Sequence, residues 1–251
     1  MKKKNSILFY PLIIMEALLM LLSSCKKDNN NSTSNPTNGK TTAVFNPSKT
    51  YGTVTDIDGN VYKTITIGTQ TWMAENLRTT KYRNGKAIPE VIDTTAWINL
   101  STGAYCNYKN TRNTDTIATF GRLYNWYAVA DTRNIAPTGW HVPIDAEWTT
   151  LTTYLGGESV AGDKLKELGT THWVTDLNTG VDNSSGFTAL PGGSRDSDGT
   201  FSDIGHDGHL WSSSESNIDN AWTRLMQYYV RGVFRDDYSK VVGFSVRCVR
   251  D

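Results

Sequence analysis

The sequence predicts an α+β domain, loop-rich, with short antiparallel sheets and two or three short helices. Three observations carry that expectation. Period-two alternation appears near the start of the domain, over residues 61–67, and again in its last third, around 226–230 and 244–249. Helical spacing is confined to the middle of the chain, between about 121 and 168. The intervening stretches are rich in Asn, Thr, Asp and Gly, the composition of turns and loops. A length of 251 residues, 38% of them hydrophobic and eight of them Trp, provides enough apolar material for one well-buried domain of about 200 residues.

Residues 1–24 begin with Lys2-Lys3-Lys4, continue as an apolar run from Ile7 to Leu22 and end in Ser23-Ser24 before Cys25. A charged start and hydrophobic middle define a signal peptide, which is excluded from fold reasoning. Pro11 and Glu16 interrupt the run and argue against an uncleaved spanning helix. From Cys25 to residue 47 the chain is dominated by Asn, Ser and Thr, too polar to bury a core, and reads as a flexible tether. The domain proper is expected over 48–251. Formal charge is balanced, with 25 basic and 25 acidic residues; loss of Lys2, Lys3, Lys4 and Glu16 with the leader leaves 22 against 24. Such a balance gives no electrostatic reason to expect nucleic acid.

Within the domain, Tyr51 to Met73 reads as antiparallel strands, with turns at Asp58-Gly59-Asn60 and Gly68-Thr69. Arg78 to Thr119 reads as a long irregular segment pinned to the core by Trp97, Tyr105 and Tyr108. Leu123, Tyr124, Tyr127 and Ala128 fall at helical spacing. The strongest helix follows at 145–155, where Trp148, Leu151 and Leu155 make one face and Gly156-Gly157 ends it. Pro143 disfavours helix for Val142, so Asp145 or the backbone around Ile144 supplies the N-cap. Ser159 to Leu168 gives a further helical signal that supplies Leu165 and Leu168 before Gly169. In the last third, Met226, Tyr228 and Val230 alternate, Gly232 offers a turn, and Phe244, Val246 and Cys248 share one strand face while Ser245, Arg247 and Val249 share the other.

Four separated motifs carry a family resemblance. Gly139-Trp140-His141-Val142-Pro143-Ile144-Asp145-Ala146-Glu147-Trp148, Trp72-Met73-Ala74-Glu75-Asn76-Leu77, Phe187-Thr188-Ala189-Leu190-Pro191-Gly192-Gly193 and Gly243-Phe244-Ser245-Val246-Arg247-Cys248-Val249-Arg250 occur in this order. Together, over about 51–251, they resemble the Fibrobacter succinogenes major paralogous domain. That family resembles, more distantly, the formylglycine-generating-enzyme and C-type-lectin-like superfamily. The resemblance implies a C-type-lectin-like fold in which first and last strands pair. Leu22-Ser23-Ser24-Cys25 in turn resembles a bacterial lipobox, which implies acylation of Cys25 and attachment to a membrane through the lipid. Lys26-Lys27-Asp28 is similar to surface-export signals of Bacteroidetes lipoproteins, implying an outer-membrane, cell-surface location.

Candidate chemistry is sparse. With Cys25 lipidated, Cys106 and Cys248 remain, an even number in an oxidising compartment. They either pair, closing a loop of roughly 143 residues worth up to about 5 kcal/mol, or stay as two buried thiols. The family commonly carries another Cys where this chain has Ala136. Nothing reproduces the cysteine and copper arrangement of formylglycine-generating enzymes, no Ser/His/Asp order stands out, and His141 lies inside a structural motif. The chain is therefore expected not to be an enzyme, and no cofactor is required. Asp196-Ser197-Asp198-Gly199 and Asp203 place carboxylates on a Gly-rich loop, a candidate calcium site. From Asp203 to Lys240 polar residues alternate with aromatics in a manner suited to recognition, with Tyr228, Tyr229, Phe234, Arg231 and Arg235 as candidate contacts for a glycan or a surface protein. The expected function is a noncatalytic binding or adhesion domain held off the outer membrane. An enzyme of formylglycine-generating or carbohydrate-active type and a structural envelope protein are the alternatives.

Overall fold

The sheet that opens the domain begins with β1 (Gly52–Thr55) and β2 (Val61–Ile67), paired antiparallel, and continues through β3 (Gln70–Met73). Their turn is locked by Asp56, whose carboxylate accepts from the Asp58 and Asn60 amides and from the Tyr62 hydroxyl at 2.6 Å. This computed structural model describes residues 35–175 and 180–251, all within one compact unit. The leader, Cys25 and the tether up to residue 34 lie outside the described residues. Beyond β3 come α1 (Thr94–Ile98), β4 (Tyr105–Cys106), α2 (Thr114–Phe120), β5 (Leu123–Tyr124), α3 (Trp126–Val129) and β6 (Trp140–His141). Then follow α4 (Asp145–Tyr154), α5 (Glu158–Leu165), β7 (Gly192–Arg195), β8 (Phe201–Ile204), β9 (Asp207–Glu215), β10 (Asn220–Gln227), β11 (Phe234–Ser239) and β12 (Val249–Arg250). The α+β class with short antiparallel sheets holds. The described residues contain five α-helices rather than two or three, because α1, α2 and α3 span only four to seven residues and leave no helical period to read.

Four sheets result: β1-β2-β3-β12-β6, β11-β10-β9, β4-β5 and β7-β8. The first separates two parts of the core. Tyr62, Met73 and Cys248 face a cluster built with Tyr124, Trp126, Trp211 and Phe244, whereas Ile65, Ile67, Trp72 and Val249 face another built with Trp148, Leu151, Leu165 and Phe187. Strand faces that alternate in sequence are therefore both buried. The segment 243–250 carries this furthest. Ser245 and Arg247, on the strand face opposite Phe244 and Val246, are as buried as those two. Its backbone bridges Gly243 to Arg195 in β7, Phe244 to Tyr124 in β5 and Ser245 to Leu210 in β9 before it enters the first sheet as β12. One strand thus touches all four sheets. The Arg247 guanidinium is satisfied by Asn76 Oδ1 at 2.9 Å, by Thr188 O at 2.6 Å and by Phe187 O. First and last strands share a sheet but are separated by β2 and β3.

Helix α4 forms where expected, with Trp148, Leu151 and Leu155 buried. Trp148 packs 4.7 Å from Trp72 and 6.0 Å from Phe187, ring centre to ring centre. Ile144 has no capping side chain, so the Glu147 carboxylate reaches back to accept the Ile144 N–H at 2.9 Å. Leu123 and Tyr124 belong to a strand, not a helix, since Asn125 accepts the Ala128 N–H and starts α3 only after them. Helix α5 stops at Leu165, and Leu168 beyond it is exposed.

One further expectation is corrected, and one pair of alternatives is decided. The stretch 35–47, read as tether, lies along the domain: Asn38 bonds Gly59 O and the Val61 amide, Thr42 bonds Thr119 and His172, the Val44 amide donates to Glu167, and Asn46 reaches Asn183 O. These are side-chain bonds to a polar strap, which composition does not distinguish from a free linker. Cys106 and Cys248 are free thiols. They occupy different core clusters, and each is packed in apolar surroundings rather than against the other.

Candidate functional site

The surface of interest is the connection 228–233 between β10 and β11, together with the groove beside it. The chain here is held from below. Lys166, itself buried, donates from Nζ to Val230 O at 2.7 Å and to Gln227 O at 3.1 Å. Helix α5 supplies the rest of the seat: the Asp163 amide donates to Arg231 O and the Val233 amide to Glu158 O. A Cβ at Gly162 would lie 2.3 Å from Gly232 O, so the loop crosses the helix where glycine permits backbone contact.

Arg231, Phe234 and Arg235 line one groove of about 520 Å³ with Glu158 and Ser159. Phe234 is 45% exposed, a large apolar ring left facing water. Both guanidiniums are clamped from behind. Arg231 Nε donates to Asp163 Oδ2 at 2.7 Å. Arg235 bonds both oxygens of Asp145 and lies over the Trp222 ring, 3.3 Å from its centre. Asp145 is also bound by the fully buried Arg224 at 2.8 Å. Burial would raise the Asp145 carboxyl, but its bonds to Arg235 and Arg224 outweigh this and hold it below the usual range. Fixing a long cationic side chain by its inner edge removes conformational freedom that binding would otherwise cost.

Tyr228 and Tyr229 adjoin the groove rather than line it. Their rings meet at 5.0 Å, Tyr228 packs edge-on to His206, and Tyr229 is 52% exposed. Of the tryptophans in this region Trp211 is core, while Trp222 is half-buried under Arg235.

The acidic candidates do not converge. Asp196 accepts from Ser194 and Ser202, both at 2.8 Å, and so stitches β7 to β8. Asp198 caps its own turn through the Thr200 hydroxyl and amide, which hold its carboxyl low. Asp203 lies within β8, one residue before its end, at a left-handed φ of 65°. Among the described residues no three His, Cys, Asp or Glu side chains are grouped to hold a metal. The calcium reading of Asp196, Asp198 and Asp203 is thereby corrected: hairpin turns recruit carboxylates for the same reason cation loops do. His209, nearby in the sequence, is buried and stacked on Phe244 at 4.3 Å.

Sequence reading missed Glu158, Ser159 and Asp163, which reach the groove from a helix 68 or more positions before the arginines they meet. The available signal was Gly162, a glycine inside a helical run, which marks close backbone approach. A second, larger cleft of about 690 Å³ opens between Trp126, Asp131, His141 and Glu215. His141 there is held by Asp251 at 2.6 Å on Nδ1 and by Glu147 at 2.8 Å on Nε2.

The profile of the Fibrobacter succinogenes major domain matches residues 65–250. The chain belongs to that family. Two stretches within that span meet in the core: Trp72–Leu77 and the C-terminal strand hydrogen-bond each other, the Met73 amide donating to Cys248 O and the Leu77 amide to Val246 O. No curated protein and no solved structure matches the chain.

Proposed function

We propose that this family member is a lipid-anchored outer-membrane protein whose domain, C-type-lectin-like in type, binds a glycan at the cell surface through the groove beside the β10–β11 loop, without catalysis there. The observation that carries the reading is the composition of that groove. An exposed Phe234 ring offers a stacking platform, clamped Arg231 and Arg235 offer fixed donors, and Glu158 with Ser159 offers acceptors. A polyhydroxylated sugar ring needs all three, an apolar face and both hydrogen-bond senses at its rim. The charges of the arginines are offset by Asp163, Asp145 and Glu158, which suits a neutral sugar better than a strongly anionic ligand.

Two supports are chemical. The groove is lined by no histidine and no cysteine. Burial pushes the Cys106 thiol up to about 12 and raises Cys248 as well, which disfavours the thiolate chemistry a formylglycine-generating enzyme uses. The lipid anchor rests on the sequence around Cys25.

The test is a glycan array probed with the full chain, in calcium and in chelator, beside the Phe234→Ala and Tyr229→Ala variants. Chelator-insensitive binding to a defined glycan, weakened at least tenfold by Phe234→Ala, is expected. Loss of binding in chelator would return weight to a cation site. Binding by a surface protein alone, or binding unchanged in Phe234→Ala, would sink the glycan groove.

A further inference from the structure

We propose that Thr42, Glu167 and His172 form an acyl-transfer relay in which the Thr42 hydroxyl attacks esters of small carboxylic acids. This goes beyond the binding reading and does not depend on it. Thr42 Oγ1 lies 2.9 Å from His172 Nε2, and His172 Nδ1 lies 2.7 and 2.9 Å from the two oxygens of Glu167. Exposure is graded along the chain of bonds. The Glu167 side chain is fully buried, that of His172 is 8% exposed, and Thr42 faces water. A nucleophile open to solvent, a base within hydrogen-bond reach and a buried carboxylate orienting that base are the recurring parts of an activated hydroxyl.

With His172 as the neutral imidazole, the hydrogen bonds run in one direction. Glu167 accepts from the Val44 amide and from His172 Nδ1–H, which leaves Nε2 as the acceptor for the Thr42 proton. Thr119 Oγ1 accepts the Thr42 amide at 3.0 Å, so its own proton is free to donate to Thr42 Oγ1, also at 3.0 Å, or to an oxygen developing charge beside it. Pinning the strap to the domain accounts for the bonds to Thr119 and Val44. It does not require an imidazole between Thr42 and a buried carboxylate.

The step balances without a co-reactant other than water. Thr42 Oγ forms a bond to the ester carbonyl carbon as its proton passes to His172 Nε2. The carbon–oxygen bond to the leaving alcohol then breaks, and that alcohol departs with the proton from Nε2, leaving acyl-Thr42. Water, deprotonated by His172, displaces the acyl group as the carboxylic acid and restores the hydroxyl. Glu167 touches no reacting atom and is a positioning residue.

The experiment incubates the full chain with p-nitrophenyl acetate, follows release of p-nitrophenolate and, after acid quench, locates acetyl groups by peptide mass spectrometry. One acetyl on Thr42 is expected, retained in Thr42→Ser, absent in Thr42→Val, and formed at least about 100-fold more slowly in His172→Gln. His206→Ala removes an exposed histidine outside the relay and is expected to acylate at the wild-type rate. No acetyl on Thr42, His172→Gln as fast as wild type, or equal slowing by His206→Ala would each overturn the relay. The wild-type adduct decides the matter even where a variant fails to fold.

Discussion

His209 sets an acid limit on stability that can be worked out in advance. Its ring is 5% exposed, parallel to Phe244 at 4.3 Å and capped edge-on by Tyr238 at 5.5 Å. Nδ1 has no hydrogen-bond partner, and the nearest carboxylate, Asp207, is 3.9 Å from Nε2. That carboxylate is itself raised by burial, so it does little to hold a proton on the ring. Burial lowers His209 from 6.5 to about 3. Because the folded imidazole refuses a proton that the unfolded one takes, the stabilisation is whole above pH 6.5 and drains away as pH falls toward 3. At pH 5 the loss is about 2 kcal/mol, from one and a half units at about 1.4 kcal/mol each, and at pH 7 it is nearly nil. The perturbation is His209→Phe, which keeps an aromatic ring and cannot titrate. Urea unfolding of wild type and variant at pH 7 and pH 5 gives four free energies. Any packing cost of Phe appears at both pH values and cancels, so the variant should gain about 2 kcal/mol relative to wild type on going to pH 5. A gain below about 0.5 kcal/mol would refute the claim that this histidine is buried and neutral.

Four other outcomes follow from packing and charge. Trp148→Ala removes the ring between Trp72 and Phe187 and should cost about 3–5 kcal/mol in urea unfolding. Gly162→Ala drives a methyl against Gly232 O and Arg231 O, so limited trypsin digestion should cut faster at Arg231 while the far-UV spectrum is kept. Both buried thiols should react with a thiol reagent only in denaturant, and a reductant should leave the melting temperature unchanged. His141 runs opposite to His209. Burial lowers it, but its bonds to Asp251 and Glu147 prevail and raise it, so its contribution is full below pH 6.5 and lost as pH rises above that value. Melting of wild type against Glu147→Gln from pH 6 to 8 should show a shallower slope in the variant, which keeps only the Asp251 bond.

What could be read from the sequence depended on whether a residue's role was local. Trp148, Leu151 and Leu155 marked α4 because helical period and core face coincide there, and the Gly pair that follows stops it. Its cap position at Ile144 was one of the two the sequence offered, but the carboxylate of Glu147 that reaches back to the Ile144 amide from three residues on was not legible. The alternation at 244–249 was visible, but its meaning was not: Ser245 and Arg247 look like a solvent face and are buried between sheets drawn from distant parts of the chain. Phe234, Arg231 and Arg235 stood out by composition. Glu158 and Ser159, which complete their groove, carry no spacing that ties them to it. Thr42 and His172 are 130 positions apart, and Thr42 sits in a stretch that resembles a linker.

The strand at 243–250 has a consequence for how the molecule comes into being. Every sheet in the domain depends on it for an edge partner or a bridge, yet it is the last part of the domain to be synthesised. Contacts of such long reach close slowly, and none of them can form on a chain still missing its final residues. Until then the hairpins made earlier have nothing to lock against, so the nascent chain stays open through most of its elongation. Completion of the fold is thus deferred to the moment the 243–250 segment arrives.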